Sequence, residues 1–321
     1  MKDIHYAFCV ARIRALENRL LSKEDIAMLI SQKDLSAALS FLEKKDYSKE
    51  GEAVNAIAKR HTLELNSVLC ESVPDKKELD ALYILNDYFN LKVLVKCMLE
   101  KSSPEELFTY PTTIDYDDIS KICADADFSR LKPQYAETAE TAYSLALKSE
   151  NGKFSDVVTD KAAINALTAY AKGKNSGILG KICAFLADTA NIKIALRCTA
   201  TSQDSEYIKE AIGDCNDLDK AKLISSAVSG GEQLLAYLQS SRYSEGVETY
   251  LKNPSSFEKW CDDEVMKIAS ASVYTSFGFD PAVYYFYRKN LEIKTVRMIL
   301  TAIKSDVDRS TIKERVRRLY A

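Results

Sequence analysis

Three stretches decide the fold: ALYILNDYFNLKVLVK (residues 81–96), ICAFLADTANIKIALR (182–197) and VYYFYRKNLEIKTVRM (283–298). Registered on Lys92, Lys193 and Lys294, they stand 101 residues apart, twice over. Eleven residues before each lysine come Ala81, Ile182 and Val283; eight before, Ile84, Phe185 and Phe286; one before, Leu91, Ile192 and Ile293. Two after come Leu94, Ala195 and Val296. Offsets of −11, −8 and −1 share one face of a helix, so the same buried stripe is written three times. Past the helix, Ser103-Pro104-Glu105-Glu106-Leu107 corresponds to Asp204-Ser205-Glu206-Tyr207-Ile208, each opening on a residue able to cap a new helix. The third copy reaches its equivalent, Ile312, three residues late. Farther out, Phe41…Tyr47-Ser48 echoes Tyr237…Tyr243-Ser244, with Phe128…Tyr135 as the middle match.

Solenoid repeats run about 20–50 residues, each one supersecondary unit. A copy of 101 residues is large enough for a small domain. The expectation is therefore an all-α chain of three similar helical domains, residues 1–103, 104–205 and 206–321, which either stack or close around a pseudo-threefold axis. Closure around such an axis would create a central opening and two different faces, which suits a socket or adaptor. Composition points the same way. Ten glycines and six prolines in 321 residues are too few for the turns of a sandwich, a barrel or a doubly wound sheet. With 46% apolar residues, there is ample material for a core. Residues 6–22 predict a helix with Tyr6, Val10, Ile13 and Leu20 on one face, and Ala7, Ala11 and Ala15 as a small stripe admitting another helix. Glu71-Ser-Val-Pro74-Asp75 predicts the start of a helix that runs through Glu100.

Charge and cysteines narrow the function. A net charge of −3 lacks the basic footprint of a nucleic-acid binder. Cys9, Cys70, Cys97, Cys123, Cys183, Cys198, Cys215 and Cys261 contain no Cys-x-x-Cys pair. With no secretory leader, they read as reduced core cysteines of a cytosolic protein. No window approaches the roughly 20 apolar residues of a membrane span.

Reactive constellations are scarce. The two histidines, His5 and His61, stand in unrelated contexts and supply neither a triad nor a metal site. Gly173-Lys-Asn-Ser-Gly177-Ile-Leu-Gly180-Lys181 fails the phosphate-loop spacing, with Ile182 where the magnesium-binding hydroxyl belongs; it reads as an interhelical loop. Asp115, Asp117, Asp118, Asp125 and Asp127 lack the glycine and closing glutamate of a calcium loop, and read as a helix-opening acidic segment. The basic C-terminal stretch, Lys304, Arg309, Lys313, Arg315, Arg317 and Arg318, suits either a helix dipole or a partner face. No catalytic residue, metal ligand or cofactor is expected. The three register lysines either snorkel along the edge of the core or line one opening.

From about residue 6 to 318 the chain resembles a known family, the C subunit of prokaryotic V/A-type rotary ATPases, which corresponds to the d subunit of the eukaryotic vacuolar enzyme. Tyr6…Ala11-Arg12…Arg14-Ala15…Leu20-Leu21 matches that family's opening. Asp280-Pro281…Tyr287…Glu292-Ile293-Lys294-Thr-Val-Arg297-Met-Ile299-Leu300, then Ile312-Lys-Glu-Arg315-Val, matches its closing signature. Asp87-Tyr-Phe-Asn90-Leu91-Lys92 and the looser Ala190-Asn191-Ile192-Lys193 match its internal copies. The resemblance implies an all-helical funnel of three similar domains around a pseudo-threefold axis with a central cavity, a non-catalytic rotor adaptor that receives the central stalk of the soluble head in that cavity and sits on the membrane rotor (proteolipid) ring, on the cytoplasmic side. Arg12, Arg14, Lys92, Lys193, Lys294 and Arg297 are motif positions, expected to line the cavity or brace the domains. The competing expectations are a free-standing helical scaffold for partner helices and, more remotely, an enzyme with a carboxylate or cysteine site.

Overall fold

The computed structural model describes residues 5–148, 153–173 and 177–317. Among them stand sixteen α-helices, two short 3₁₀ turns and no strand, so the chain is all-α. It divides into two compact units, residues 1–78 with 253–321, and residues 79–252. The expected boundary at 103/104 falls just past a long helix, and that at 205/206 in the first turn of a short one.

The first unit joins both ends of the chain. It holds α1 (Ala7–Glu17), α2 (Lys23–Ile30), α3 (Leu35–Glu43) and α4 (Val54–Ser72) from the N-terminal part. From the C-terminal part come α14 (Pro254–Ala269), α15 (Asp280–Lys304) and α16 (Arg309–Arg315). The 25-residue α15 is the axis of the unit, packed against α1, α2, α3, α4 and α14. Val283, Ile299 and Leu300 of α15 meet a core that includes Ile13, Leu29, Leu42 and Leu69, all without solvent exposure. Side-chain caps start the helices: Ser22 and Asp25 form a reciprocal capping box on α2, Asp34 caps α3, and Asp308 caps α16.

In the second unit lie α6 (Tyr116–Asp125), α7 (Pro133–Lys148), α8 (Lys153–Ala171), α9 (Gly177–Ala200), α10 (Ser205–Ala211), α11 (Lys220–Ser229), α12 (Gly231–Gln239) and α13 (Ser244–Lys252). They are joined by most of α5 (Lys76–Glu100). Helices α7, α8 and α9 pack in succession, and α9 also meets α11 and α12. Asp115 caps α6, with Asp117 and Asp118 in its first turn, so the acidic run opens a helix as its charge pattern predicts.

Local expectations fail in three places. The helix expected over residues 6–22 ends at Glu17, so Leu20 lies past it and only half-buried. Ala7, Ala11 and Ala15 are exposed, because Cys9, Val10 and Ile13 supply the buried face of α1. Ser103–Leu107 forms only a turn, whereas its counterpart is capped by Asp204 and runs on as α10. Leu107 is exposed where Ile208 is buried, so the first copy lacks the apolar anchor that would hold a short helix. Residues 174–176 of the glycine-containing loop lie outside the described residues, and the segment before it is the helix α8.

Candidate functional site

The lysine register places α5, α9 and α15 in equivalent surroundings. Each is buried around most of its circumference and open along one narrow stripe. On α5 that stripe is Leu85, Phe89, Lys92 and Lys96; on α9 it is Leu186, Ala190, Lys193 and Arg197. On α15 it runs through Tyr287, Lys294, Arg297 and Thr301. The register lysine stands on the open stripe in all three helices.

A second set of residues, outside the candidate site residues although four of them fall in the matched motifs, lies on the opposite, buried side. Five positions before each lysine stand Asp87, Asp188 and Lys289; two before stand Asn90, Asn191 and Glu292. Asp87 is fully buried and accepts from the Thr112 hydroxyl (2.5 Å), the Thr113 amide (2.8 Å) and hydroxyl (2.7 Å), and the Tyr135 hydroxyl (2.8 Å). Asp188, equally buried, accepts from the Asn216 and Asp217 amides and the Tyr243 hydroxyl, each at 2.8 Å. The asparagines pair with loop backbone: Asn90 with both the amide and the carbonyl of Thr109, Asn191 with the Gly213 amide and the Asp214 carbonyl.

The third copy exchanges this chemistry for an ion pair. Lys289 donates to Glu292 Oε1 at 2.5 Å, and Glu292 Oε2 accepts from the Leu21 amide at 2.7 Å. The Lys289 ammonium lies 4.8 Å from the centre of the Tyr47 ring. Tyr47, Tyr135 and Tyr243, the three tyrosines matched in the sequence, therefore each meet the residue five before a register lysine.

These carboxylates are braces. Burial raises the carboxyls of Asp87 and Asp188 above their ordinary range, against the pull of the hydrogen bonds they accept. Every one of those hydrogen bonds comes from the protein itself. His61 is likewise inside, its Nε2–H donating to the Tyr47 carbonyl at 2.8 Å; burial, then the Lys289 and Arg60 cations, push it down to about 4. The eight cysteines are unpaired and five are buried, with Cys183 pushed up to about 12 by burial. Such thiols are poor nucleophiles. Among the described residues, no cluster of three or more His, Cys, Asp or Glu side chains is arranged to hold a metal ion.

The six sequence-predicted site residues divide between the units, with Arg12, Arg14, Lys294 and Arg297 in the first, and Lys92 and Lys193 in the second. Arg12 ties α1 to the end of α4 through Glu71 (2.8 Å) and Ser72 (3.2 Å). Arg14 is gripped by Glu17 and donates to the carbonyls of Val273 and Thr275, which fastens the loop before α15. Lys92 pairs with Asp160 of α8 at 2.5 Å, and Lys193 is half-buried. Lys294 and Arg297 are exposed and make no ion pair or hydrogen bond among the described residues. In the basic C-terminal stretch, Arg309 donates to the Gln32 carbonyl and Arg317 pairs with Asp262, while Arg318 lies outside the described residues.

The chain is thus all-helical, with one long helix design written three times and a cationic open stripe on each copy. Residues 9–315 match the profile of the ATP synthase (C/AC39) subunit family, and the chain belongs to that family. It is similar to the C subunit of the A-type ATP synthase of Methanocaldococcus jannaschii, 24% identical over 92% of this chain and 82% of the relative. The C subunit of the A-type ATP synthase of Pyrococcus furiosus is 23% identical over 96% and 89% of the two chains. The C subunit of the V-type sodium ATPase of Enterococcus hirae is 22% identical over 86% and 78%. No helix among the described residues is long and apolar enough to cross a membrane.

Proposed function

We propose that this chain is the non-catalytic rotor adaptor of a V/A-type ATPase. It docks the central stalk of the soluble head onto the membrane rotor ring, on the cytoplasmic side, so that ATP hydrolysis or synthesis is coupled to proton or sodium movement. Membership of the family supports the assignment to such an ATPase. The observation that carries the finer reading is the cationic, solvent-open stripe repeated at one register position on α5, α9 and α15. In this reading, three similar helical domains surround a pseudo-threefold axis, one built on each long helix, and Lys92, Lys193 and Lys294 line the cavity that receives the stalk. Arg12 and Arg14 brace the walls, and Arg297 extends the stripe of α15. The equivalent polar anchors at Asp87, Asp188 and Lys289 support three copies of one design.

The test is functional depletion. Membrane vesicles stripped of this chain are expected to retain a head that hydrolyses ATP, lose ATP-driven ion uptake, and regain it when the purified chain is added back. Ion uptake at full rate without the chain overturns the proposal.

A further inference from the structure

Between α3, the start of α4 and α15 runs a groove of about 530 Å³, contained within the first unit. Its floor is aliphatic, formed by Leu35, Leu39 and Val54, and its rim on α15 carries Arg297, Thr301 and Lys304. Arg297 and Lys304 are exposed and have no ion-pair partner among the described residues. The groove's one carboxylate, Glu52, is already engaged: Arg60 donates to both of its oxygens at 2.9 Å, and the Lys49 amide donates at 3.0 Å. Lys294, also exposed and unpaired, continues the stripe one turn N-terminal to Arg297. At these spacings Lys294, Arg297 and Lys304 project within a quadrant of the helix surface. One side of α15 thus holds three uncompensated cations in a chain whose net charge is −3.

We propose that this groove is a docking site for an acidic polypeptide segment of another subunit of the same ATPase, an inference that rests on the function proposed above. Seven residues separate Arg297 from Lys304, which sets their backbone positions roughly 10 Å apart along the helix. That separation matches two carboxylates presented along one side of a partner helix, about seven residues apart, more closely than it matches a single phosphate. The aliphatic floor between them takes the apolar side chains of the same partner face. Burying the charges together, each with its partner, keeps the desolvated cations paired and makes the contact specific as well as salt-sensitive.

The experiment uses the full-length tagged chain in its host. A photoreactive p-benzoylphenylalanine is placed at Leu39, and the wild-type chain is compared with R297E/K304E and R297Q/K304Q; K252E, an exposed position outside the groove, is the control. The expected result is a covalent link from position 39 to an acidic segment of an ATPase subunit. Yield of that link falls at least tenfold in R297E/K304E, falls by less in the glutamine variant and is unchanged in K252E. Far-UV circular dichroism of each variant establishes that the helices are intact. Equal capture and cross-linking by wild type and R297E/K304E overturns the groove and leaves the adaptor function standing. A link to lipid or to a small anion, with ATPase subunits still captured, overturns the polypeptide as occupant. Failure of the wild-type chain to capture any ATPase subunit removes the adaptor function itself.

Discussion

The buried pair Lys289–Glu292 shows at residue scale what holds the first unit together. Glu292 is 2% exposed and takes one hydrogen bond from Lys289 and one from the Leu21 amide, so removing the lysine strands a carboxylate in the core. Lys289→Met is expected to cost about 3–5 kcal/mol, and Lys289→Met with Glu292→Gln to recover most of it, both read from urea-unfolding midpoints. His61 gives the molecule an acid-sensitive component. Its proton is held at about 4 in the fold against an ordinary 6.5, so between those values the unfolded chain binds a proton that the folded chain refuses. The stability contributed is complete above pH 6.5 and drains away as the pH falls toward 4, by at most about 3 kcal/mol. His61→Gln is expected to flatten the fall in urea midpoint between pH 7 and 4.5; an unchanged slope contradicts this assignment. Asp87 and Asp188 act in the opposite sense. Their raised carboxyls bind a proton more tightly folded than unfolded, so their contribution is complete below 3.8 and declines as the pH rises.

At the scale of elements, close packing of α8 against the loop before α11 explains Gly213. A methyl group built there meets Ile164 Cγ2 at 2.6 Å and Asn165 Oδ1 at 3.1 Å, while the Gly213 amide serves Asn191. Gly213→Ala is expected to lower stability by about 1–3 kcal/mol, measured as a shift in thermal midpoint. The long helices were legible in the sequence because their apolar columns recur at a fixed spacing, as Leu91, Ile192 and Ile293 show. The alanine stripe of α1 shows the limit of such a reading: small residues permit close approach but do not require it, and Ala7, Ala11 and Ala15 are exposed. Asp87 and Asp188 had a signal in the same register as the lysines, five positions earlier. Their burial is not legible locally, because only threonine, tyrosine and amide donors distant in the chain make a buried carboxylate tolerable. The change to Lys289 and Glu292 in the third copy further obscured the pattern. Of the candidate residues, the bracing contacts of Arg12 and Arg14 depend on Glu71, Ser72 and the loop 273–275, far away in the chain, and no local pattern announces them.

At the scale of the whole molecule, the lysine column and the partner chemistry belong together. Lys92 spends part of its charge on Asp160, a half-exposed pair worth no more than about 1 kcal/mol, so its loss leaves the fold standing. Replacing Lys92, Lys193 and Lys294 together by glutamate is expected to weaken stalk docking at least tenfold with helicity unchanged. Unaltered affinity returns these lysines to a structural role. The central claim, that the chain works as a non-catalytic coupling component, is tested most directly by tagging it in its host, solubilising the membranes gently and identifying by mass spectrometry what co-purifies. Stalk and rotor-ring subunits recovered in fixed proportion to the chain are the predicted result. Recovery from the soluble fraction alone, with none of those subunits attached, contradicts it.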